Sequence, residues 1–129
     1  MYDYVDLFPE FKERYPELFN SGDEGSFISF EIGNGWKDIV DAACMQLWFI
    51  DDVQISQVKE KFGGLRIYTN TYTDEVKEII NEAEVAASKT CEFCGSTEGV
   101  TNKSFRNKGS WMKSLCTQCR EERDKNTLD

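Results

Sequence analysis

The sequence contains no histidine. The side chain that most often serves as a general base near neutral pH is therefore missing, and no P-loop, G-x-S-x-G elbow or dinucleotide fingerprint stands in its place. Carboxylates such as Asp51-Asp52 are the remaining acid–base candidates, but adjacent acids after a helix are ordinarily its solvated end. Catalysis is the class of function with the least support. Long apolar runs are absent as well: no stretch reaches the roughly 18 residues of a membrane span, and no basic segment leads into an apolar one at the start. Neither export nor membrane insertion is expected, which leaves the cytoplasm. Cations are also scarce, with 15 Lys and Arg against 24 Asp and Glu, a net charge of −9. General binding to DNA or RNA depends on Lys and Arg displacing phosphate counterions, so this balance argues against it.

The charge is unevenly placed. Residues 1–58 carry twelve acids against Lys12, Arg14 and Lys37, which accounts for the whole −9. Residues 99–120 hold Lys103, Arg106, Lys108, Lys113 and Arg120 without a single acid. One end repels phosphate and the other is able to accept it.

With 129 residues, the chain has room for one core, or for a core of about 90 residues with a metal-stapled appendage. Tyr4, Phe8, Phe11 and Tyr15 fall at helical spacing, and Pro9 and Pro16 suit first-turn positions, predicting two short helices. Ile28, Phe30 and Ile32 alternate with polar residues as on a strand. Asn34 is placed to cap a helix over 35–50 with Trp36, Ile39, Val40, Ala43 and Leu47 on one stripe. Two strands over 53–59 and 65–70 are expected to join through Lys61-Phe62-Gly63-Gly64, with Gly63-Gly64 supplying the positive φ of a tight hairpin. Thr73 then caps an amphipathic helix bearing Val76, Ile79, Ile80, Ala83 and Ala87. The expected class is α+β: a helical and β-hairpin core over 1–89, then a separate module over 90–129.

That module rests on two C-x2-C pairs, Cys91/Cys94 and Cys116/Cys119, with twenty-one residues between them. This is close to the spacing of four-cysteine zinc modules. Four thiolates at about 2.3 Å complete a tetrahedron and leave no position for water, which makes the site structural. Gly95 permits the left-handed backbone of a knuckle. A knuckle, a hairpin turning around Asn107-Lys108-Gly109 and a helix after Cys116 give the layout of a treble-clef finger, with a zinc ribbon as the other option. Disulfides or a redox C-x-x-C are the competing readings, disfavoured in a reducing cytosol. Cys44, on the apolar helix, reads as a small core residue.

Two further segments are candidates for binding. The run QVKEKFGGLR at 57–66 gathers Lys59, Lys61 and Arg66 around Gly63 and Gly64, an arrangement able to hold a phosphate or carboxylate; otherwise its cations merely cover acids such as Glu60. In the module, Lys103, Arg106, Lys108 and Lys113 alternate with Phe105 and Trp111, a mixture suited to phosphates and base stacking, unless those rings simply fill a small core.

The ten-residue run resembles a family of small uncharacterised bacteriophage and prophage proteins. So do Gly35-Trp36 with the apolar helix behind it, Ala83-Glu84, Ser88, the Thr90–Gly95 stretch TCEFCG, and Ser114-Leu115-Cys116. The likeness covers roughly residues 33–120. It departs at Cys119, where that family often has histidine, and at Ile67, where an aromatic is common; either ligand type suits zinc. The resemblance implies a phage origin and an accessory role in a bacterial host cell. Small size, a closed metal site, an acidic half and a local cationic turn suit a protein that binds and blocks a host component, such as a defence protein or its nucleotide signal. Nucleic-acid binding through the module is the alternative.

Overall fold

The computed structural model describes residues 7–19, 29–104 and 112–127, with backbone alone at 29, 103, 104, 112 and 123–127. Helix α1 (Phe8–Arg14) begins with Pro9 in its first turn, as expected. Pro16 does not start a second helix; residues 16–18 form a turn that carries Leu18 and Phe19 into the core. The aromatic stripe is largely present. Phe11 stacks on Phe30 at 5.0 Å and Tyr15 meets Trp48 edge-on at 5.5 Å, while Tyr4 lies outside the described residues.

Strand β1 (Ser29–Glu31) leads to a 3-10 turn, Asn34–Trp36, and then to helix α2 (Lys37–Trp48). Asn34 therefore does not cap α2. Its side chain makes no cap bond, because the chain tightens to 3-10 geometry before the helix proper begins. Strands β2 (Ile55–Lys61) and β3 (Gly64–Thr69) pair antiparallel, and β1 pairs parallel with β2, giving the order β1-β2-β3. The strands join through Lys61–Gly64 as expected, but the positive φ falls one residue earlier than expected. Phe62 (φ +53°) and Gly63 (φ +81°) are its central pair, as a type I′ turn requires, and Gly64 belongs to the strand. Helix α3 (Asp74–Ser88) follows, its first turn capped by Thr73, whose hydroxyl accepts from the Val76 N–H at 3.3 Å.

The apolar stripes of α2 and α3 close over Val58, Leu65 and Ile67 of the sheet, with Trp36 and Cys44 fully buried. Burial pushes the Cys44 thiol far up, in keeping with an inert core residue. A second, much smaller apolar cluster comprises Leu115 and three cysteines, with Phe93 and Val100 against it. It belongs to β4 (Thr101–Ser104), β5 (Met112–Leu115) and α4 (Thr117–Thr127), where β4 and β5 pair antiparallel.

Asp41 fastens α1 to α2. Its Oδ1 accepts from Tyr15 Oη at 2.8 Å and from the Arg14 guanidinium at 2.6 Å. Burial raises the Tyr15 phenol, and the hydrogen bond to Asp41 and its negative charge add to this, taking it from 10.0 to about 12. A folded value above the unfolded one means that the contribution is intact below about pH 10 and is lost as the pH rises through about 12. Spectrophotometric titration should show one tyrosine ionising late, and Asp41→Asn should move that step to lower pH.

Candidate metal centre

Residue 90 ends the α3 segment, and the chain then turns sharply on itself. The Cys91 N–H donates to the Ser96 carbonyl at 2.7 Å, and the Gly95 N–H returns to the Cys91 carbonyl at 3.0 Å with Gly95 at φ +83°. This is the knuckle that the Gly95 position predicts. At the other end, Cys116 directly precedes α4 and Cys119 sits in its first turn, with its N–H toward Cys116 Sγ at 3.4 Å. The two turns bring all four sulfurs within 4.8 Å of one another.

The spacing suits a metal ion. Four sulfurs about 2.3 Å from one centre lie about 3.8 Å apart, and Cys94 Sγ stands 3.6 Å from Cys116 Sγ. A disulfide needs about 2.05 Å, and all five cysteines are free. Cys91, Cys116 and Cys119 are buried, whereas Cys94 is exposed at the rim. Burial opposes the charged form of Cys91, yet backbone N–H groups of Cys116, Cys94 and Phe93 outweigh it and bring this thiol down to about 7. Burial raises Cys94 and Cys119, and for Cys119 the neighbouring sulfurs push the same way. A bound cation must displace these protons, so its affinity falls with falling pH.

Sequence reasoning missed the platform beneath the knuckle. The Gly35 N–H donates to the Glu92 carbonyl at 2.7 Å. A Cβ at Gly35 would collide with the Cys91 carbonyl oxygen and lie 2.6 Å from both Glu92 O and Gly95 N; one at Gly33 would lie 2.5 Å from Glu92 O. Backbone therefore rests on backbone, and only glycine permits it. Gly35→Ala is expected to cost about 1–3 kcal/mol and to weaken metal retention in competition with a chromophoric chelator. Asn34→Ala, at an exposed neighbour, should leave retention unchanged.

A buried ion cluster joins the module to the core. Lys113 is 1% exposed, and its Nζ lies 3.0 Å from Glu60 Oε1 and 3.3 Å from Glu92 Oε1. The remaining oxygens are used too: Glu60 Oε2 accepts the Gly63 N–H at 2.7 Å, and Glu92 Oε2 accepts the Gly33 N–H at 3.0 Å. Burial pushes the Glu92 carboxyl up, against the pull of Lys113. Beside the cluster, Ser114 Oγ donates to the Gly63 carbonyl at 2.5 Å and the Glu92 N–H donates to the Ser114 carbonyl at 2.9 Å. Arg120 closes the other side of the module, giving Nη2 hydrogen bonds to the carbonyls of Lys113 and Thr101.

These contacts bear on both binding segments. In the glycine hairpin, Lys59 and Arg66 are direct cross-strand partners and share one face of the sheet. Lys59 lies over Tyr68, and Lys61 over Phe62. Gly63 points the other way, its N–H and carbonyl both committed to Glu60 and Ser114, so it offers no N–H to an outside anion; Gly64 is a strand residue. In the module, Lys113 is not a surface cation for nucleic acid, because two buried carboxylates neutralise it. Lys103 is placed on β4 by its backbone, while Phe105, Arg106, Lys108 and Trp111 lie outside the described residues.

The fold and site thus define an α+β protein with a four-cysteine cluster able to hold a metal ion at its C-terminal end. Among the described residues, no helix is long and apolar enough to cross a membrane. Compared with known proteins, the chain matches no family model, no curated protein and no solved structure.

Proposed function

We propose that the cluster holds a structural zinc ion and that the protein is a non-catalytic phage accessory protein. In this reading it acts in the cytoplasm of the bacterial host, binding and blocking a host component: a defence protein or the nucleotide signal such a protein uses. The observation that carries the reading is the all-sulfur donor set on two rigid turns. Four thiolates complete zinc's tetrahedron and leave no open position at which a substrate or water is activated. A sequence without histidine supports a scaffold over a reaction centre, and the acidic first half suits contact with cationic protein surfaces.

Immobilised, zinc-loaded protein exposed to host lysate at physiological salt is expected to retain one host protein or a nucleotide reproducibly, and to inhibit the retained protein's activity when added back. Retention of nothing above a control column contradicts the reading. The nucleic-acid alternative is weakened by the burial of Lys113; a salt-dependent gel shift would restore it.

A further inference from the structure

Between α2 and α3 runs an open groove of about 340 Å³, lined by Ile39, Ala42, Ala43, Ile79, Ala83 and Ala86 among others. The outer sides of both helices also carry exposed apolar side chains. Met45 is 53% exposed, Phe49 82% and Val85 46%, all large apolar side chains facing water. Single exposed apolar residues are ordinary on protein surfaces, but these are not scattered. Met45 follows the groove-lining Ala42 by three residues on α2 and Phe49 caps that helix one turn further on, while Val85 follows the groove-lining Glu82 by three residues on α3. Alanines at the seam let a third helix approach closely, and exposed anchors of this kind are what a helix laid into a groove engages.

The charges select the occupant. The ionisable residues lining the groove are Asp38 and Glu82, both acids, and Asp51 and Asp52 stand exposed beyond Phe49. Lys37 is drawn to Glu10 of α1, Lys77 falls on the other side of α3 by helical spacing, and Lys89 stands past Ala86 at the end of the groove, leaving acids along its length. Pairing with a second copy would set acids against acids, and anionic lipid headgroups would meet the same repulsion. We propose that this groove receives an amphipathic helix of a partner protein, apolar where it inserts and carrying Lys or Arg on its flanks. The proposal rests on the reading of the chain as a binding protein and names the surface used.

Two labelled synthetic helical peptides test it, with the same leucine-rich face and either lysine or glutamate flanks, titrated against the zinc-loaded protein by fluorescence anisotropy. The lysine peptide is expected to bind at least tenfold more tightly than the glutamate peptide, and less tightly at high salt. Met45→Ser with Phe49→Ser should lose at least tenfold in binding while leaving the unfolding midpoint unchanged, since both side chains are exposed. Equal binding of the two peptides, or of variant and wild type, overturns the proposal. So does sedimentation as a dimer that the double variant disperses, or capture by anionic vesicles. Host-lysate retention judges the binding reading separately: a partner held equally by wild type and variant leaves that reading standing and removes the groove.

Discussion

Removal of the metal is expected to unfold residues 91–104 and 112–127 while the larger core survives. The reason lies in how little apolar surface that segment buries. Among its described residues the buried apolar material is Leu115 and the cysteines, with Phe93 and Val100 only partly covered. So small a cluster does not offset the entropy of ordering the chain, whereas structural zinc contributes on the order of 10 kcal/mol. Cys116→Ser should act like a chelator, since Cys116 would both ligate the ion and accept the Cys119 N–H. Hydrogen exchange reads the outcome directly: protection should vanish in β5 and the start of α4 and persist in α3, whose stripe belongs to the main core. Unchanged protection at 112–119 after chelation would contradict this.

Lys113→Met in the zinc-loaded protein should cost about 3–5 kcal/mol, read as a lower urea midpoint, because it leaves the buried Glu92 carboxylate and the largely buried one of Glu60 without their cation. A surface lysine would cost almost nothing. The triple variant K113M/E60Q/E92Q should recover most of the loss. Its amide oxygens still accept the N–H groups of Gly63 and Gly33, and no charge remains to be solvated. A loss below about 1 kcal/mol for Lys113→Met would mean that the ion cluster does not join hairpin and module.

What the sequence reveals and what it hides follow from the same physics. Helices α2 and α3 are legible because long periodic stripes repeat many times before a breaker intervenes. The four cysteines are legible because their spacing is itself the geometry of the site. Neither the ion cluster nor the glycine platform is legible in that way. Glu60, Glu92 and Lys113 are residue types assigned by default to the surface, and only a packed neighbour reverses that. One local clue existed: Glu60 lies two residues from Val58, and their partners Leu65 and Ile67 are both buried, so Glu60 occupies an inward register position. Gly33 and Gly35 read only as the surroundings of a helix cap at Asn34 until the knuckle, nearly sixty residues later, is laid upon them. The positive φ falls on Phe62-Gly63 instead of Gly63-Gly64, a choice that Lys-Phe-Gly-Gly leaves open; Ser114, which meets the Gly63 carbonyl, holds the observed pair.

The central claim is a single zinc ion held by four sulfurs. X-ray absorption at the zinc edge of the protein as purified tests it most directly, and one zinc per chain with four sulfur neighbours at about 2.3 Å is the expected result. A folded, metal-free protein, cysteines joined as disulfides, or a shell containing oxygen or nitrogen would contradict it.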